Sequence, residues 1–186
     1  MSKQEFSRIF LCGFMGTGKT TLGKLLAYKL GKPFLDMDDV IKRKARLSIP
    51  QLFQQYGEAH FRNLEKSAIK QVAGQQQGVI ALGGGALQDK ELVHTIKSNG
   101  LLVFIDAPFE VLLSRLMRNK KRPMLLDKEG RMKNKESLRH ELSELYNKRL
   151  PMYRQAHLTF SSEQNLNPNE QAELLKERIC TYEQAT

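Results

Sequence analysis

The sequence predicts an α/β protein built on a parallel sheet, and three observations carry that expectation. Short apolar runs recur about five times along the chain, each ending in Gly or Asp. Each run is followed by a segment whose apolar residues repeat with helical period, the alternation that lays helices over a parallel sheet. The first strand-to-helix junction carries Gly13-Phe14-Met15-Gly16-Thr17-Gly18-Lys19-Thr20, which satisfies GxxxxGK[ST] in full and in the context that motif requires.

In chain order, residues 8–13 (RIFLCG) read as the first strand. Leu22, Leu25, Leu26 and Leu30 then trace a helical stripe that stops at Gly31. Pro33 to Asp38 reads as a second strand, with Asp39 expected to cap the helix after it. Ser48 can cap a short helix with Pro50 in its first turn, and Gly57 separates that helix from a longer one that buries Phe61, Leu64, Ala68 and Val72. Gly78 to Leu82 forms a third strand and runs into a triple glycine. A helix near Asp89 to Ser98, a fourth strand at Leu101 to Ile105 and a helix over Phe109 to Arg118 follow. The chain closes with a helix at Glu136 to Arg149, a short strand at Leu158 to Ser161 and a helix at Asn169 to Tyr182. With no internal repeat, low-complexity tract or linker, residues 1–186 are expected to form one domain.

Bulk properties narrow the function classes. No run of about 18 apolar residues occurs and Met1 to Ser7 is polar, so the expectation is a soluble, cytoplasmic protein without membrane contact. Cys12 and Cys180 form no CxxC pair and no ligand cluster with His60, His94, His140 or His157, which argues against structural zinc and fits a reducing compartment. Cys12, inside the first strand, is expected to be inert core. The net charge of +10 is uneven: Arg115 to Lys135 holds nine Lys/Arg against Asp127 and Glu129. That segment reads as a mobile basic loop, either simply solvated or closing over polyphosphate. It contains no aromatic residue for base stacking, which counts against a nucleic-acid partner.

The glycines of the 13–20 motif let successive backbone N–H groups face phosphate oxygens, and the helix that begins near Lys19 adds its positive end. Lys19 is expected to bridge the β- and γ-phosphates, and the Thr20 hydroxyl to ligate Mg²⁺, with Thr21 the weaker alternative. Strand alternation would place Asp36 and Asp38 on one face at the carboxyl edge of the sheet, beside the phosphate loop, unless they are solvated strand-end residues or caps. Gly83-Gly84-Gly85 permits close approach by a ligand, or is a flexible turn. Arg62 has Glu65 at i+3, so a surface ion pair is the default and a carboxylate-binding arginine the alternative. Asp106 ends an apolar strand as a metal-binding Asp would, but Ala107-Pro108 after it favours a helix cap.

GFMGTGKTTLG at 13–23, LDMD at 35–38, FRNLE at 61–65, LGGGA at 82–86, RPML at 122–125 and KRLPMYRQ at 148–155 together resemble the shikimate kinases, in the same order and over nearly the whole chain. The phosphate loop is generic; LDxD, FRxxE, the triple glycine, RP and RxPxY in this order are specific. The resemblance implies a three-layer P-loop nucleoside-monophosphate-kinase-like fold, with a central five-stranded parallel sheet flanked by helices. It implies a mobile lid at about 117–135 and a substrate-binding helical segment at about 39–73. The implied reaction moves the γ-phosphate of ATP, with Mg²⁺, to the 3-hydroxyl of shikimate on the route to chorismate and the aromatic amino acids, in a monomer.

Carried over by residue, the resemblance makes Asp38 the group that orients or deprotonates the acceptor hydroxyl. Asp36 becomes a support of Mg²⁺ through water, and Arg62 and Arg149 a clamp on the substrate carboxylate. Gly83, Gly84 and Gly85 supply backbone contacts to substrate. Lys19 and Arg122 are the catalytic cations, while Gly13, Gly16, Thr17, Gly18, Thr20, Thr21, Arg115 and Pro168 surround the nucleotide. Two readings compete: another small-metabolite kinase such as a gluconate kinase, and a nucleic-acid-binding module that uses the basic segment.

Overall fold

The structure, a computed structural model, describes residues 6–118, 133–162 and 165–185. Five strands, β1 (Arg8–Cys12), β2 (Phe34–Asp36), β3 (Gly78–Ala81), β4 (Leu101–Asp106) and β5 (Leu158–Ser161), pair in the order β2-β3-β1-β4-β5. All four pairings are parallel. Among the described residues, seven helices connect and cover them: α1 (Lys19–Leu30), α2 (Met37–Ala45), α3 (Ile49–Gln75), α4 (Lys90–Asn99), α5 (Phe109–Arg118), α6 (Lys135–Tyr153) and α7 (Pro168–Ala185). A 3₁₀ turn, Ala86–Gln88, follows β3 and was not expected from the sequence.

Both faces of the sheet are buried, which is why its strands are continuously apolar rather than alternating. Ile9, Leu11, Val79, Val103 and Ile105 face α1 and α7, whereas Phe10, Cys12, Ile80, Leu102 and Phe104 face the helices from α2 to α6. The result is three layers with one core on each side of the sheet. Burial pushes the Cys12 thiol up to about 12, as an inert core residue requires.

Several boundaries follow local chemistry closely. Gly31 caps α1 in the left-handed conformation, at φ 62°. Ser48 and Gln51 form a reciprocal capping box at the start of α3, and Gly57, at φ 78° and ψ 173°, kinks that helix where two helices were expected.

Elsewhere tertiary structure overrides the expectation. The second strand stops at Asp36, because its Oδ1 accepts the Asp38 N–H at 3.0 Å and caps α2. Asp39 is therefore not the cap; it lies in the first turn and pairs with Lys42 at 2.5 Å. Helix α6 runs on through Pro151 to Tyr153 rather than ending at Arg149. Only the hydrogen bond of one missing N–H in the last turn is lost, and Tyr153 is gained as a buried anchor. Asp106 does not cap α5. Its Oδ1 accepts from the Ala107 N–H at 2.9 Å and the Tyr146 hydroxyl at 3.2 Å, and Pro108 supplies the first carbonyl of that helix.

Candidate active site

The order of the strands decides where a ligand can sit. From central β1 the chain turns through α1 toward β2 on one side, while β4 lies on the other, so the carboxyl end of β1 is a switch point. The 13–20 loop lies there. Gly13 is required by crowding, since a Cβ would meet the carbonyl oxygen of Ile105, and Gly16 and Gly18 adopt φ of 87° and 90°. Thr17 is buried and its hydroxyl donates to the Phe14 carbonyl at 2.9 Å, so its side chain braces the loop. Lys19 Nζ donates to the carbonyls of Gly13 and Phe14 at 2.8 and 2.9 Å.

A cleft of about 1080 Å³ opens beside this loop and brings together Gly16, Gly18, Lys19, Thr20 and Thr21 with Asp36, Asp38, Arg62, Gly83 to Gly85, Arg115 and Arg149. Gly13 and Thr17 stay out of this lining. A second hollow of about 320 Å³ adjoins the loop, with Thr17, Thr21, Arg115 and Pro168 in its wall, together with Ser162 and Gln171. Arg115 reaches the loop directly, donating to the Gly16 carbonyl at 3.2 Å. Arg122 and most of the expected lid, residues 119–132, lie outside the described residues.

The acidic residues converge by a different route from strand alternation. Asp36 ends β2 and Asp38 sits in the first turn of α2, yet both face the cleft. Asp36 uses both oxygens, one on the Asp38 N–H and Oδ2 on the Thr20 hydroxyl at 2.7 Å. The Asp38 carboxyl is held above the ordinary carboxylate range, first by desolvation within the cleft and then by Asp36; Lys19 and Lys42 act against this. Its surface is open to the cleft, so enclosure by protein atoms on the remaining sides causes the shift.

Arg62 and Glu65 are not the surface pair that was the default reading. Glu65 is only 3% exposed, and Arg62 Nη1 donates to it at 2.6 Å. Glu58 accepts from Nη2 on the outer edge of the same guanidinium at 3.1 Å. Desolvation raises the pKa of Glu65 and Arg62 opposes that. Arg149, on α6, brings a second guanidinium into the cleft, and its buried Nε has no acceptor among the described residues.

These side chains also explain the glycines. A Cβ on Gly83 would stand 2.5 Å from Glu65 Oε1 and 3.3 Å from Asp38 Oδ1, and one on Gly85 would stand 2.6 Å from Arg62 Nη1. Close approach by charged groups, rather than turn flexibility, accounts for these two positions. At Gly84 the nearest neighbour would be Arg149 Nη1 at 3.6 Å, an ordinary contact. Glu65 is the site residue the sequence reading did not place, although its i+3 spacing from Arg62 was visible. The apolar wall formed by Met15, Ile49, Phe53 and Phe61 was missed as well, because it joins elements far apart in sequence.

A phosphate cradle alone would suit a hydrolase or a motor equally well. Here it opens into a neighbouring pocket with a carboxylate at the loop and guanidinium groups across from it, space for a second, anionic reactant. That combination defines a kinase of the P-loop class that acts on a small molecule. The shikimate kinase family profile matches residues 15–180. The chain is 40% identical to the shikimate kinase of Chlorobium luteolum, over 87% of this chain and 80% of that one. It is 43% identical to that of Aquifex aeolicus, over 76% and 82%. Among solved structures, shikimate kinase from Acinetobacter baumannii in complex with shikimate superposes with a TM-score of 0.84 at 33% identity, covering 96% of this chain and 95% of that one. The Bacteroides thetaiotaomicron shikimate kinase gives 0.85 at 35% identity, over 94% and 99%. The chain belongs to the shikimate kinase family and is an ATP-dependent kinase.

Proposed function

We propose that this chain transfers the γ-phosphate of ATP to the 3-hydroxyl of shikimate, acting in the cytoplasm as a single-domain monomer without nucleic-acid or membrane partners. The observation that carries the residue assignment is the convergence of the phosphate loop, Asp38, Arg62 and Arg149 on one cleft. No helix among the described residues is long and apolar enough to cross a membrane.

Arg62 and Arg149 hold the substrate carboxylate. Their charge favours an acid over a neutral polyol, which would leave the Arg149 guanidinium without a carboxylate from the substrate. With that end fixed, Asp38 meets the acceptor hydroxyl, aligns it with the γ-phosphorus and takes its proton as the new O–P bond forms and the bond to the β-phosphate oxygen breaks. Its raised pKa makes it a better proton acceptor than an ordinary carboxylate. The N–H groups of Gly83, Gly84 and Gly85 complete the substrate contacts. Lys19 spreads charge from the transferring phosphate, helped by the amides of Gly13, Gly16, Thr17 and Gly18. Arg115, Thr21 and Pro168 border the hollow suited to the base. Arg122, outside the described residues, is assigned the second cationic contact to the transferring group.

The donors present fit Mg²⁺. Thr20 and Asp36 are already 2.7 Å apart, both are hard oxygen donors, and no group of three His, Cys, Asp or Glu among the described residues could cage a metal by itself. Thr20 would ligate the ion directly and Asp36 through water, since both Asp36 oxygens have protein donors. When bound there, Mg²⁺ would supply positive charge against the phosphates of ATP.

The test is ADP release from Mg-ATP with shikimate, gluconate, a nucleoside monophosphate or no acceptor. Shikimate alone should raise the rate well above the no-acceptor background. Equal rates with and without shikimate refute the assignment, and a response to gluconate instead would favour the rival kinase.

A further inference from the structure

Tyr153, the last residue of RxPxY, touches neither cleft nor hollow, yet it is among the largest fully buried side chains, at 1% exposure. Its ring stacks on Phe104 of β4, with centroids 5.3 Å apart and planes 25° apart. Its hydroxyl donates to the Gly84 carbonyl at 2.5 Å. Burial raises its pKa well above the ordinary value, although the charge of Arg149, which also hydrogen-bonds this oxygen, pulls the other way, so the hydroxyl keeps the proton it donates. Tyr153 stands at i+4 from Arg149, on the same face of α6.

The consequence lies on the other side of one peptide plane. Every peptide bond described is trans, so a carbonyl pointing one way sends the next N–H the opposite way. With the Gly84 carbonyl drawn to Tyr153, the N–H of Gly85 turns away from the core. Gly84 and Gly85 both line the cleft, and Tyr153 does not. A loop of three glycines has little intrinsic preference for any orientation of that peptide, which is constrained by the Ala86 N–H donating across it to the Gly83 carbonyl at 3.1 Å and by the Tyr153 hydroxyl.

We infer that Tyr153 is a positioning residue for the acid substrate: its hydroxyl holds the Gly84–Gly85 peptide so that the Gly85 N–H faces the cleft. The aromatic stack on Phe104 fixes the hydroxyl, and the shared helix keeps it in register with Arg149. This rests on the reading of the cleft as the shikimate site.

Tyr153→Phe removes the hydroxyl and leaves the ring. The half-saturating shikimate concentration should rise roughly five- to ten-fold, the consequence of one misdirected hydrogen bond, with that for ATP unchanged. An unchanged value for shikimate, or equal rises for both substrates together with a large fall in Tm, overturns the inference. A second measurement, on the unmodified chain labelled with ¹⁵N-glycine, covers the case in which the variant does not fold. The Gly85 amide resonance should move on titration with shikimate, and a stationary resonance overturns the inference. The unmodified chain's turnover of shikimate, measured alongside, separates the two ideas. No turnover there refutes the proposed function, whereas normal turnover with an unaffected Tyr153→Phe refutes the positioning role alone.

Discussion

Asp38 carries opposing demands at one residue. Desolvation and the neighbouring Asp36 raise its pKa, so the folded chain holds that proton to a higher pH than the unfolded chain does. Between the ordinary value of 3.8 and the raised one, the folded state binds more protons and stability falls as pH rises. At neutral pH the ionised carboxylate is therefore destabilising. Asp38→Asn should raise the thermal midpoint at pH 7, read by calorimetry, while turnover drops by a factor of about 100 or more. The unmodified chain should lose turnover on its acid limb above the ordinary carboxylate range, because Asp38 must be ionised to accept a proton. LDMD identified both aspartates, but the route to the cleft was hidden. Asp36 caps α2 instead of continuing β2, a choice set by a hydrogen bond to a backbone N–H rather than by side-chain alternation.

Among the elements, the segment joining β3 to the 3₁₀ turn depends most on its neighbours. Gly85 lies under the Arg62 guanidinium, whose Nη1, Nη2 and Cζ all fall within 2.8 Å of where a Cβ would stand. Because that is the far end of a flexible side chain, Gly85→Ala should fold, with Arg62 pushed aside. The half-saturating shikimate concentration should rise roughly tenfold, as when a charge-assisted pair is lost, with the value for ATP unaffected. Steady-state kinetics with each substrate varied in turn reads the difference. In the sequence the triple glycine could equally have been a flexible turn. Its meaning depends on α3 laying Arg62 and Glu65 against it, a contact between residues about 20 positions apart that no local pattern encodes.

At the scale of the whole molecule, the β4–β5 edge depends on the charge state of one histidine. His157 Nδ1 accepts the Leu102 N–H at 3.1 Å, while the His157 backbone N–H donates to the Leu102 carbonyl at 2.9 Å. Only the neutral ring can accept there. Burial first, and then Lys97, lower its pKa below the usual 6.5, so the unfolded chain binds this proton more readily. The stabilisation is complete above about pH 6.5 and is lost as pH falls through the lowered value. Urea unfolding between pH 7 and pH 5 should show this decline, and His157→Asn, whose amide oxygen does not titrate, should flatten it. A slope identical in both proteins would place the pH dependence elsewhere.

The α/β class, the five strands, the helix caps at Gly31 and Ser48, and the phosphate loop were all legible in the linear sequence. Each rests on apolar period, capping chemistry or the spacing of glycines within a few residues, which a linear pattern records. It took packing between distant elements to make Arg62 and Glu65 a largely buried pair, to make Gly83 and Gly85 leave room for charged groups, and to carry α6 through Pro151 to Tyr153. The physical reason is common to all three. The energy of a buried charge, a close approach or an added helical turn depends on what the sheet brings alongside, and strand order β2-β3-β1-β4-β5 sets those neighbours.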